Sequence, residues 1–237
     1  MNVWAIAKRD FGSYFRSPIA YVVLSIFLLL TGFLFWNGAF DTQSRASMTA
    51  LFGPMPLILS FFAPAITMGL LADERGTGSI ELLTTLPLRD WEIILGKYLA
   101  AVGLYTLGVA LTLPYVVTIA KLGPLDLGPA LAGYLGLLLM GYVYLAIGLM
   151  ASAFTRHQIV AFIVGLGLCF LFFLWSMMIP ALPRGLKVVA QYLAVDRHLR
   201  QMADGQLDPR SLVYLLSLAA LPLVIAWQSL ESRRWTA

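Results

Sequence analysis

LLADERGTGSIELLTTLPLRDWEIILGKYLA, Leu70–Ala100, is the stretch on which the reading of this chain turns. Asp73, Glu74, Arg75, Glu81, Arg89, Asp90, Glu92 and Lys97 all fall within it, between two long apolar runs. The chain has 237 residues, 60% of them hydrophobic and 12% charged, whereas a soluble domain carries about 25% charged residues. Uncharged stretches span Ser17–Phe40, Ala46–Ala72, Tyr98–Ala120, Leu127–Thr155, Gln158–Pro183 and Ser211–Leu230. Each reaches the ~20 residues that a helix needs to cross the hydrocarbon. The fold class that follows is all-α: a polytopic membrane protein with six transmembrane helices, forming a single membrane domain over residues 1–237. Span one is too long for a cleavable signal sequence and lacks a small-x-small cleavage site.

Basic residues orient the chain. Lys8, Arg9 and Arg16 precede span one, and Arg75, Arg89 and Lys97 follow span two. The short loops of the other side hold only Arg45 and Lys121. By the positive-inside tendency both termini are expected in the cytoplasm, in a cell (inner) membrane. The net charge of +4, without a long basic run, is better explained by basic residues flanking the spans than by a nucleic-acid surface, so no nucleic-acid partner is expected.

Residues 1–16 are expected to form an amphipathic interfacial helix. At 100° per residue Val3, Trp4, Ala7, Phe11, Tyr14 and Phe15 gather on one face. Lys8, Arg9 and Arg16 supply the basic character that suits a membrane surface, and Pro18 redirects the chain into span one. In the opening stretch, which sets apart a cytoplasmic segment over 73–92, Gly76 and Gly78 punctuate the exit from span two. A short helix over Ser79–Leu86 follows, with Ile80, Leu82, Leu83 and Leu86 apolar and Glu81 projecting elsewhere. Pro87 ends it, and Asp90 is expected to cap the next helix. Capped helices and apolar positions suit docking; a loop that only stays wet needs neither.

The extracytoplasmic segment, 184–208, predicts short outer-face helices between spans five and six, with Leu186, Val189, Ala190 and Leu193 on a helical period. Asp208 and Pro209 read as N-cap and first residue of span six. His198, with no second His or Cys nearby, is expected as an exposed surface histidine, and Cys169 as a small buried hydrophobe.

Chemistry is sparse. There is no G-x-x-x-x-G-K-[ST], no H-E-x-x-H, no cysteine pair and no Ser/His/Asp set, so no catalytic, cofactor-binding or metal-ligating residue is nominated. The uncharged spans weigh against an ion-coupled secondary transporter. Glycines such as Gly141 and Gly148 suit helix packing.

KRDFGSYFRSPIAYV (Lys8–Val22), ADERGTGSIELLTTLPLRDWEIILGKYLA (Ala72–Ala100) and HLRQMADGQLDPRSLVYLLS (His198–Ser217) together resemble the ABC type-2 permeases, most closely their gliding-motility-like branch. That resemblance implies a permease subunit, of an exporter, that carries no enzymatic activity itself. Its partners would be two copies of a separate ABC ATPase, a second permease copy or paralogue, the membrane lipid and, in some branches, an extracytoplasmic auxiliary subunit. The loop after span two would be the coupling helix, so that Asp73, Glu74, Arg75, Thr77, Gly78, Ser79, Ile80 and Glu81 would meet the ATPase. Two other classes are compatible with six spans: a channel or secondary transporter, which does not account for the ordered docking segment, and a non-transporting scaffold, which function indifferent to ATPase-dead partners would favour.

Overall fold

The computed structural model describes residues 3–39, 48–78, 89–122, 126–181 and 183–234. Helices account for nearly all of them, and no strand occurs among the described residues. The helices are α1 (Val3–Arg16), α2 (Pro18–Ala39), α3 (Thr49–Phe52), α4 (Met55–Gly76), α5 (Asp90–Ala110), α6 (Leu113–Leu122), α7 (Leu127–Phe154), α8 (Gln158–Met178), α9 (Arg184–Leu193), α10 (Val195–Ala203) and α11 (Pro209–Arg234). Among the described residues six segments are long and apolar enough to cross a membrane, with α5 and α6 together making the third. The expected Ser79–Leu86 helix lies outside the described residues.

The third span departs from its expected Tyr98–Ala120 bounds. It starts at Asp90 and takes Lys97 inside it. It also breaks after Ala110, because Pro114 has no N–H to offer the Ala110 carbonyl. Thr112 covers the break by donating to the Val109 carbonyl at 2.7 Å. The cap at the start also differs from expectation. The helix begins at Asp90 itself, and Glu92 reaches back to accept the Arg89 backbone N–H at 3.0 Å.

α4 and α7 form the centre. In the most apolar window of each, 72% and 78% of residues are buried, against 17% in the α8 span. Between helices in lipid, close backbone approach and buried hydrogen bonds replace the hydrophobic drive. α7 supplies both. A Cβ on Gly141 would fall 2.1 Å from the Tyr105 ring, and one on Gly148 2.1 Å from Thr67 Oγ1. The Tyr105 hydroxyl donates to the Leu137 carbonyl at 2.7 Å, and that of Tyr134 to the Thr112 carbonyl at 3.0 Å.

α10 caps the end of the bundle away from α1, burying Val195, Leu199 and Met202. His198 is not exposed as expected: it is 5% exposed. Its Nδ1 lies 2.8 Å from Ser211 Oγ on α11 and its Nε2 3.0 Å from the Tyr192 carbonyl. The helical stripe that buries Val195, Leu199 and Met202 carries His198 inward with it. On α9 the expected apolar positions divide, Ala190 being buried while Leu186 and Leu193 are exposed. α11 starts at Pro209, with Asp208 Oδ1 accepting the Arg210 N–H at 2.9 Å. Cys169 is buried.

Candidate functional site

α1 lies across the start of α5 because two glycines let it. A Cβ on Gly96 would meet Ile6 at 2.7 Å, and one on Gly103 would meet the Phe11 ring at 3.1 Å. This seats Ile6, Ala7 and Asp10 as the buried stripe of α1. Trp4, expected on the apolar face, points outward and is 73% exposed. Lys8, Arg9 and Arg16 are exposed, and Phe11 and Phe15 pack edge to face, 5.2 Å between centroids.

With α1 in place, three helices converge on one ammonium. Lys97 Nζ, on α5, lies 2.7 Å from Glu74 Oε1 of α4 and 3.2 Å from Asp10 Oδ2 of α1. Arg9 closes the group, its Nε 2.8 Å from Asp10 Oδ1 and its Nη2 3.7 Å from Glu74 Oε1. Two carboxylates therefore face two cations and the cluster is neutral. Lys97 is 2% exposed and Asp10 7%. An ammonium so far from water is tolerable only when paired at short range. The bond to Asp10 raises the Arg9 guanidinium further above its already high range.

The neighbouring stretch of α4 is held by side chains from other helices. Pro64 interrupts its hydrogen-bond ladder. Further along, Tyr14 donates to the Ile66 carbonyl at 2.8 Å. Burial, aided by the Asp10 charge, pushes the Tyr14 phenol far above its usual range, so it remains a donor. From the other side, Ser152 Oγ of α7 accepts the Leu71 and Ala72 amides at 3.1 and 3.0 Å and donates to the Met68 carbonyl at 2.9 Å. A hydroxyl is thereby inserted into the ladder of α4, a known cause of local bending. Gly76 ends the helix hard against the α7–α8 turn, where a Cβ would stand 2.8 Å from the Arg156 carbonyl oxygen.

Of the residues nominated for partner contact, the first three are engaged within this chain. Asp73 accepts a hydrogen bond from Gln158 of α8. Glu74 joins the cluster, and Arg75 is buried with Nη2 3.4 Å from Ser229 Oγ of α11. Thr77 and Gly78 are exposed, Gly78 at a φ of +74° that favours glycine. Ser79, Ile80 and Glu81 lie outside the described residues. A cleft of about 300 Å³, walled by Asp10, Tyr14, Gly69, Asp73, Lys97 and Gln158, opens beside the cluster.

Sequence reasoning missed Asp10 and the burial of Lys97, although both carried a signal. Asp10 falls three residues after Ala7 and four before Tyr14, on the apolar stripe. Lys97 falls four after Ile93 and four before Ala101, on the stripe of α5. Charges at such positions must find each other.

Among the described residues no group of three or more His, Cys, Asp or Glu is placed to hold a metal ion. No nucleophile and base meet in the cluster; what this arrangement can do is hold three helices together through charge. A family model described as ABC-2 family transporter protein matches residues 4–227. No curated protein matches the chain.

Proposed function

The chain belongs to the ABC-2 transporter family, and from that premise we propose that its α4–α5 connection carries motion from a separate ATPase into the membrane helices of an exporter. Membership makes it the permease subunit of an ABC transporter, with an ATP-hydrolysing partner. Beyond that, our reading places the α1 end in the cytoplasm of a cell bearing this protein in its inner membrane, with α1 at the interface. Two permeases, identical or paralogous, work with two ATPases, and in the gliding-motility-like branch with an extracytoplasmic subunit besides.

One observation carries this reading. Both ends of the 77–89 connection enter the same neutral cluster, Glu74 from the last turns of α4 and Lys97 from the second turn of α5. α1 is tied to both through Asp10 and Arg9. A push on the connection is therefore delivered to α1, α4 and α5 as one body. Division of labour follows. Asp73, Glu74 and Arg75, engaged inside the chain, transmit; Thr77, Gly78, Ser79, Ile80 and Glu81 meet the ATPase. The apolar side chains of Ser79–Leu86 seat the contact, and the Glu81 carboxylate orients it against a hydrogen-bond donor.

The test compares two charge reversals in the purified permease–ATPase complex. Glu81→Lys leaves membrane insertion intact and sharply lowers permease-dependent stimulation of ATP hydrolysis; Glu92→Lys, in the first turn of α5, does less. Equal behaviour of the two, or full stimulation with Glu81→Lys, removes Glu81 from the contact.

A further inference from the structure

At the end of the bundle away from α1, the segment from Gln191 to Tyr214 encloses a second cleft of about 300 Å³. Its charge is net positive, two arginines against one aspartate. Arg197 on α10 and Arg210 in the first turn of α11 both line it. Arg197 Nη1 donates to Gln191 Oε1 at 2.7 Å, a neutral partner that leaves its charge unbalanced. The Arg210 guanidinium makes no hydrogen bond or ion pair with any described residue. The acid in the wall, Asp208, accepts the Arg210 backbone N–H as helix cap and pairs with neither arginine. A cation in the first turn of a helix also opposes the helix dipole. His198 stiffens the floor through Ser211 and the Tyr192 carbonyl.

The surroundings are apolar and face outward. Tyr192, Leu207, Val213 and Leu216 are each more than half exposed, on either side of where the α11 span begins at Pro209. We propose that this cleft binds the phosphate of a phospholipid headgroup, with Arg197 and Arg210 clasping its oxygens and the acyl chains lying along Val213 and Leu216. Guanidinium forks match phosphate oxygens two at a time, and a single anion between the arginines offsets both charges and the dipole. The apolar rim favours a lipid over free phosphate, whose hydration a greasy border would strip without recompense. This site lies at the opposite end from the cluster of the preceding section and does not depend on which partner drives the permease.

Native mass spectrometry of the full-length permease tests it, titrating dioleoyl phosphatidylglycerol, dioleoylglycerol and inorganic phosphate in separate arms. The wild type retains one phosphatidylglycerol and no dioleoylglycerol, and the paired variant R197Q/R210Q weakens that retention about tenfold. K187Q, which removes a cation at the same end outside the cleft, retains the lipid as the wild type does. Equal losses with K187Q mean diffuse attraction and overturn the proposal, as does dioleoylglycerol binding as well as phosphatidylglycerol. Inorganic phosphate that binds as tightly as the lipid overturns the lipid assignment. Should the paired variant fold poorly, R210Q alone decides, because that side chain has no partner to lose; undiminished retention then refutes the site.

Discussion

Lys97 and Asp196 are equally sealed, each 2% exposed, one at each end of the bundle, yet burial acts on them in opposite ways. Lys97 has two carboxylates within 3.2 Å and Arg9 to balance them. Asp196 has the attraction of Arg200 on its own helix and the Ser176 hydroxyl of α8, while its Oδ1 accepts no hydrogen bond from any described residue. Burial pushes its carboxyl up to about 6. Equal burial thus leaves the lysine held between two carboxylates and raises the pKa of the less compensated aspartate. What differs is the number of opposite charges within reach, not the depth.

The strongest blow to this contrast is Lys97→Met. It leaves Asp10 and Glu74 facing each other without their shared cation, and breaking a buried pair costs about 3–5 kcal/mol. Thermal unfolding in detergent measures it. The sharper form adds Asp10→Asn and Glu74→Gln in the same chain: of the cluster only Arg9 stays charged, and its side chain, 47% exposed, reaches water, so most of the loss returns. A triple variant as unstable as Lys97→Met would mean that the lysine acts by shape alone.

Asp196→Asn makes the opposite prediction. A carboxyl raised from 3.8 to about 6 in the folded state holds its full stability below pH 3.8 and loses it as pH rises through 6. That loss amounts to at most about 3 kcal/mol. The asparagine variant therefore matches the wild type near pH 4 and unfolds at higher temperature near pH 7.5. Parallel pH profiles would take Asp196 out of the contrast.

Smaller effects follow at the same end. His198→Leu strands the Ser211 hydroxyl and the Tyr192 carbonyl, costing about 2 kcal/mol by the usual penalty for orphaned buried groups. Arg210→Gln, which removes a partnerless exposed cation, changes unfolding by less than about 0.5 kcal/mol. A large loss there would mean that the outer arginine is as structurally engaged as Lys97.

The six spans could be read from hydropathy because the bilayer imposes a minimum apolar length, and α7 and α8 both satisfied it. Hydropathy did not separate them, however. The α8 span is the more apolar, at 2.5 against 2.0, and yet far less buried. What puts α7 in the centre is where its glycines fall: Gly141 and Gly148 receive Tyr105 and Thr67, whereas on α8 a Cβ on Gly165 would stand 3.2 Å from Pro64 and Gly167 has nothing within 4 Å. Sequence shows the glycine and not the side chain that fills its place. The charged cluster was half legible for the same reason. Glu74 and Lys97 were recognised as parts of one polar stretch, but their partner Asp10 lies 87 residues before Lys97, on a helix whose docking depends on Gly96. Asp90 shows the limit at small scale: the capping logic was sound, but Glu92 served the start of the helix by reaching back to Arg89.

Ser152 carries a consequence for how this protein is made. Its hydroxyl takes the amides of Leu71 and Ala72, the latter 80 residues earlier in the chain. As the chain emerges from the ribosome, α4 reaches the bilayer well before α7 exists. A backbone amide in hydrocarbon needs a partner at once, so α4 first enters on its own ladder and takes up the Ser152 hydroxyl only when α7 docks. The last turns of the second span thus wait for the fourth span to complete their hydrogen bonding.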